Sequence, residues 1–235
     1  MQRMTPGRLA TIALGVLAAT GAAQARTPFQ ARCEDTIGQS VTVLTASQNG
    51  YRVDTGLSYK TLSGMKNPGP GYAHVLGLTH TEFRVRIGLD GEILQDPASG
   101  YECIAPHIKV TLSYEPIVVY VGKEFAPGTC AYQAILTHEM RHLNAYMDHL
   151  PKVERLVRAA LAKRFESRPL YAPAGQSSAL LSQEIHTGWM NYIKAQLGKV
   201  DQLQAAIDSP QEYARLGNAC KGEIGAIIGP AARRR

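Results

Sequence analysis

The sequence predicts an α+β chain, with a small antiparallel or mixed β-sheet first and a helical C-terminal part carrying an HExxH motif after it. Three observations predict this. Apolar residues alternate with period two in short runs as far as residue 121, and recur with a period near 3.6 from residue 129 onward. The change of period falls at a breaker pair, Pro127-Gly128. All strand signals come before all helical ones, which is the order of an α+β fold and not of repeated βα units.

Residues 1–25 carry Arg3 and Arg8, then an apolar run from Leu9 to about Ala23, then Ala23-Gln24-Ala25, a small-x-small cleavage pattern. This is the expected form of a secretory signal peptide. The run is nearer to 15 than to the roughly 20 residues that a spanning helix needs, and no later segment is apolar enough to span. The expected mature chain therefore begins near Arg26, is exported to the periplasm or beyond the cell, and makes no stable membrane insertion. Residues 26–128 form a β-rich part and 129–235 a helical part with the metal site, together one domain of two lobes.

Within the β-rich part, strands are expected at 41–46 and 51–54. A third runs through Phe83, Val85, Ile87 and Leu89, alternating with Arg84 and Arg86 ahead of an Asp90-Gly91 hairpin turn. Two more are expected at 108–114 and 117–121, divided by Glu115-Pro116. The 67–71 stretch, Asn-Pro-Gly-Pro-Gly, reads as a rigid loop. Helices are expected at 129–150, ending before Pro151, then 152 to about 167, 178 to about 208, and 211–220. The polar 167–178 connection is expected to border the cleft.

Composition sets the compartment and excludes one class of partner. All four Cys (33, 103, 130, 220) lie in the mature part. An even count in an oxidising compartment predicts two disulfides; of the three connectivities, Cys33 with Cys103 and Cys130 with Cys220 is favoured. The formal charge of +6 includes Arg3 and Arg8, and Arg233, Arg234 and Arg235 supply three more positive charges. The body is nearly neutral, the terminal Arg run reads as a solvated tail, and no nucleic-acid footprint is present.

The motif is His138-Glu139-Met140-Arg141-His142. Helical residues four apart share a face, about 6 Å apart along the axis, so two imidazoles can reach one ion. Leu136, Met140, Leu143, Met147 and Leu150 form a stripe expected to face the core. His138 and His142 fall on the other side with Ile135, Ala145 and Tyr146, as they would on a cleft wall. The plain alternative is two solvated His on an amphipathic helix. One departure is Arg141, at an inner position that is uncharged in most zinc peptidases.

A strand at 117–121, a short loop and a helix bearing HExxH resemble the zincin metallopeptidases. With the expected signal peptide, the chain looks like the bacterial predicted secreted zinc-dependent proteases; the resemblance covers roughly residues 108–150. It implies Zn²⁺ bound by His138 and His142, Glu139 as general base, and the 117–121 strand as an edge for an extended peptide. For the third ligand the choice is Glu184, on a long later helix that can cross back, with Asp148, Glu154, Glu166, His186 and Asp201 as rivals. Tyr146, Tyr192 and His149 are candidate oxyanion donors. The expected function is hydrolysis of a peptide or protein substrate. The alternatives are a non-enzymatic envelope metal-binding or assembly protein with a degenerate HExxH helix, and a zinc amidase acting on cell-wall peptides.

Overall fold

The computed structural model of the chain describes residues 26–36, 41–45, 50–66, 74–166 and 168–229. The expected signal peptide, the 67–71 loop and the terminal Arg run lie outside the described residues. In chain order the elements are α1 (Pro28–Asp35), β1 (Val41–Thr45), β2 (Arg52–Asp54), α2 (Tyr59–Met65), β3 (Gly77–His80), β4 (Phe83–Asp96), β5 (Tyr101–Tyr114) and β6 (Val118–Val121). Then come α3 (Cys130–Phe165), β7 (Leu170–Pro173), α4 (Ser177–Glu184), a π-helical turn (Ile185–Trp189), α5 (Met190–Gly198), α6 (Val200–Ile207) and α7 (Pro210–Gly217). A 3₁₀ turn (Ala219–Gly222) and α8 (Glu223–Ile228) follow. The fold is α+β, small sheets followed by a helical C-terminal region.

Among the described residues the strands form two sheets. In one, β5 lies between β1, parallel to it, and β4, antiparallel to it, while β7 pairs with its first residues, Tyr101 to Ile104. In the other, β6 is central, with β2 parallel on one side and β3 antiparallel on the other. The expected edge at 117–121 is thus a paired interior strand; among the described residues the strand with an unpaired edge beside the HExxH helix is β3.

Asp90-Gly91 is not the hairpin turn. β4 runs through it to Asp96, and the chain reverses at 97–100, where Ser99 and Gly100 donate to the Asp96 carbonyl and Gly100 takes φ +71°. Gly91 serves another purpose, because a Cβ there would stand 2.4 Å from the Ala105 carbonyl oxygen. A glycine in a strand allows this close approach as readily as it allows a turn.

Pro151 does not end the helix, since α3 continues to Phe165. Proline in a helix interior costs about 3 kcal/mol, from the missing N–H and the clash with the preceding turn. The carbonyl that loses its partner belongs to Met147, an exposed residue of the helix. Beyond the proline Val153, Val157, Leu161 and Phe165 are fully buried in one core cluster with residues of the first sheet and of the continuous α4–α5 stretch. At about 1.5–3 kcal/mol for each buried side chain, that packing outweighs the proline. The expected core stripe changes accordingly: Leu143 and Leu150 are buried, Leu136 and Met140 half-buried, Met147 exposed. The 167–178 connection is also not a cleft border, because β7 closes it onto β5.

Both expected disulfides are present. Cys33–Cys103 ties α1 to β5, and Cys130–Cys220 ties the start of α3 to the 3₁₀ turn after α7. No described helix is long and apolar enough to cross a membrane.

Candidate metal centre

The site is built on the first half of α3. Thr129 caps the helix by accepting from the Tyr132 N–H, and the run to Leu150 has no breaker, so His138 and His142 stand one turn apart on one face. Both are almost fully buried, at 4% and 5% exposure, which removes the reading of two solvated surface His.

Their partners set their tautomers. His138 Nδ1 lies 3.1 Å from Glu212 Oε1, and His142 Nδ1 lies against Gln204 Oε1. The Gln204 amide is oriented by its own Nε2, which donates to the His142 carbonyl. Each Nδ1 therefore has an acceptor for a ring proton, and in the neutral imidazole that leaves Nε2 to present a lone pair. The two Nε2 atoms are 3.2 Å apart, and Asp208 Oδ1 is 3.2 Å from one and 3.1 Å from the other. Three acceptors thus point at one spot, which is favourable only around a cation. A tetrahedral ion with ligands at about 2.0–2.1 Å separates them by about 3.3 Å, close to what is seen.

Protons compete for the same place. Burial lowers the His138 pKa, but the hydrogen bond to Asp208 and the charge of Glu139 outweigh it, and the imidazole is shifted upward. With protons in that place, Asp208 is shifted well below the carboxylate range: burial opposes this, and hydrogen bonds from the protonated His138 and His142 and from Lys66 prevail. Lys66 Nζ holds the other oxygen, Oδ2, at 2.9 Å, and Tyr213 donates to Oδ1 at 3.3 Å.

Glu139 is buried next to the two His without pointing into the ligand cluster. Its Oε2 accepts from the Thr79 hydroxyl at 3.0 Å, so β3 orients it. Burial raises its carboxyl pKa, with His142 and His138 partly offsetting the shift. A buried carboxylate with a raised pKa suits proton transfer near neutrality. The close approach of β3 depends on Gly77, where a Cβ would stand 2.8 Å from Glu139 Cγ, Glu139 Oε1 and Ile135 Cγ2.

Arg141 has a place in this design. Its Nη1 is 3.0 Å from Glu212 Oε2, and Arg215 grips the same carboxylate with two hydrogen bonds of 2.9 and 2.7 Å. Arg215 first, and then His138 and Arg141, hold Glu212 down at about 2, against burial. An ionised Glu212 keeps the proton on His138 Nδ1 and the lone pair of Nε2 directed inward, as carboxylates behind metal-binding His do.

Glu184 is not near this cluster. It takes two hydrogen bonds from Arg164 and one from Trp189, on the far part of α3. Arg164 is 22 residues beyond His142, about 33 Å along a helix at about 1.5 Å per residue. Of the rivals, Glu154 pairs with Arg158, while Asp148, Glu166 and His186 are exposed and outside the cluster. Asp201 lines the cleft but is not among the converging atoms. The residue overlooked was Asp208, where α6 ends; its only sequence signal is Asp208-Ser209-Pro210, a helix stop followed by a new cap. Of the expected oxyanion donors, Tyr146 lines the cleft, Tyr192 packs on Trp189, and His149 is bonded to the Tyr114 hydroxyl.

The centre opens into a cleft of about 960 Å³ between β3 and the α6–α7 turn. A second grouping, Cys130, Cys220 and Glu223, is no metal site because its sulfurs are joined in the disulfide. No protein-family model, curated protein or solved structure matches the chain.

Proposed function

We propose that the chain is an exported zinc-dependent peptidase, with His138, His142 and Asp208 holding the metal and Glu139 moving the proton. The observation that carries this reading is the convergence of three acceptor atoms at 3.1–3.2 Å beside a buried, oriented carboxylate. When bound, zinc supplies Lewis acidity toward the scissile carbonyl and the attacking water. Glu139, held at Oε2 by Thr79, accepts the proton of the attacking water and delivers it to the leaving amine. Glu212 and Gln204 keep both imidazoles in the binding tautomer, and Lys66 holds Asp208 in place. β3, paired among the described residues with β6 on one side only, lines the cleft and offers its other edge to an extended peptide.

The test compares the mature wild type with His138→Ala, Asp208→Ala and Glu139→Gln. About one zinc per chain is expected in the wild type and in Glu139→Gln, and a loss of stoichiometric zinc in the other two. With a mixed peptide library and cell-wall peptides, Glu139→Gln should lose about 10²- to 10⁴-fold in hydrolysis, the usual worth of general-base catalysis. Stoichiometric zinc without hydrolysis by the wild type would favour a metal-binding envelope protein instead.

A further inference from the structure

We propose that the cleft has a side arm that selects a cationic side chain, Lys or Arg, beside the scissile bond, with Asp201 as the charge that recognises it. The proposal rests on the peptidase reading for its position in the reaction, but the binding site itself can be tested separately.

A second cavity of about 470 Å³ adjoins the metal cleft, and the two share Thr81, Tyr146 and Asp201 in their walls. Its place relative to the metal follows from helix geometry. Tyr146 is one turn beyond His142 on α3, about 6 Å along the axis, and Asp201 is three residues before Gln204, the partner of His142, about 4.5 Å along α6. Thr81 and Glu82 continue the line of β3 past Thr79, which holds Glu139. A peptide laid along β3 across the metal would therefore bring a flanking side chain to this arm.

The arm's chemistry suits a long cation. Tyr114, Tyr146 and Phe83 supply aromatic wall for an aliphatic stem or a guanidinium face. Asp201 and Glu82 supply negative charge. Asp201 is exposed and has no ion-pair partner among the described residues; Lys199, two residues earlier, is turned to Gln196 Oε1 at 2.7 Å. Among the described residues Glu82 pairs only with Arg84, at 4.0 Å, with both side chains largely exposed. The field of Asp201 is felt in the arm, since it contributes to the upward shifts of Tyr114 and Tyr146 after burial. The Thr81 hydroxyl, buried and without a hydrogen-bond partner among the described residues, sits where the two cavities meet.

The experiment uses octapeptides identical except for Arg, norleucine or Glu at one scanned position. Cleavage by the zinc-loaded wild type should favour Arg over norleucine at one fixed place beside the scissile bond. Asp201→Asn should reduce that Arg-to-norleucine ratio in kcat/KM about 1.5- to fivefold, the range for an exposed ion pair. Asp201→Lys should turn the preference toward Glu. Binding of the same uncleaved peptides to zinc-loaded Glu139→Gln is measured in parallel, with Asp201→Asn added, and should show the same ratios. Equal or absent binding of the Arg and norleucine peptides, or a preference that survives Asp201→Asn, overturns the proposal. If the wild type hydrolyses nothing while Glu139→Gln still prefers the Arg peptide through Asp201, the cation site stands and the peptidase reading falls.

Discussion

At the scale of single residues, the centre depends on contacts that pack a strand against a helix with almost no tolerance. Gly77 is the clearest case. A methyl group there would meet Glu139 and Ile135 at 2.8 Å, and Ile135 is fully buried, so β3 must retreat or Glu139 must turn. Overpacking of this kind costs about 1–3 kcal/mol. Gly77→Ala should therefore lower the melting temperature and reduce hydrolysis, while zinc content stays near wild type because no ligand is touched. Thermal melts, metal analysis and rates on one preparation check the three outcomes together. The same scale shows what a sequence can reveal of a metal site. His138, Glu139 and His142 were legible because their relation is local and helical. Asp208 was not, since it lies 66 residues after His142 and joins the two His only through the crossing of α6 over α3. Glu184→Ala, by contrast, should leave zinc stoichiometry unchanged, and metal analysis of that variant beside Asp208→Ala separates the two assignments.

At the scale of elements, the β4 and α3 misreadings share a cause. Glycine and proline are local stop signs, and tertiary packing overrode both: Gly91 permits close approach to Ala105, and Pro151 is carried by the buried residues after it. Short elements such as β3 and β7 left little signal because four residues cannot establish a period. A long-range helix cap was equally hidden. Gln176, before α4, gives no side-chain cap; instead Glu102 reaches over from β5 to accept from the Gly175 and Ser177 N–H groups at 2.7 and 2.8 Å. The Gly175 bond first, then those from Ser177, hold its carboxyl down at about 2. A carboxylate whose folded pKa lies below its unfolded value of 4.5 stabilises the fold above that value, and the contribution fades as pH falls toward 2. Denaturant unfolding of wild type and Glu102→Gln between pH 7 and pH 3 should show the variant less stable at neutral pH. The gap should narrow as the pH drops below about 4.5. A gap independent of pH would mean that Glu102 acts through shape and not through charge.

At the scale of the whole molecule, the two disulfides divide the labour of holding the fold and holding the site. Each closes a long loop, with sequence separations of 70 and 90 residues. In the chain-entropy picture each restricts the unfolded state by about 4–5 kcal/mol. On stability alone they are therefore alike. Their surroundings differ. Cys33–Cys103 joins α1 to β5, in the part of the first sheet that pairs with β7. Cys130–Cys220 fastens the C-terminal segment to the start of α3, eight residues before His138. That segment carries Glu212, which orients His138, and follows directly on Asp208. Replacing Cys33 and Cys103 together by Ser should lower stability and leave zinc affinity near wild type under conditions where the protein is folded. Replacing Cys130 and Cys220 should lower stability by a similar amount and weaken zinc as well, by about 10- to 100-fold if the support of Glu212 is lost, which is the usual effect of removing a partner behind a metal ligand. Competition with a zinc chelator on both double variants, at a temperature well below their melting points, reads the difference. Equal zinc affinity in the two would show that packing of α7 and α8 on α3 holds the ligands without the covalent tie.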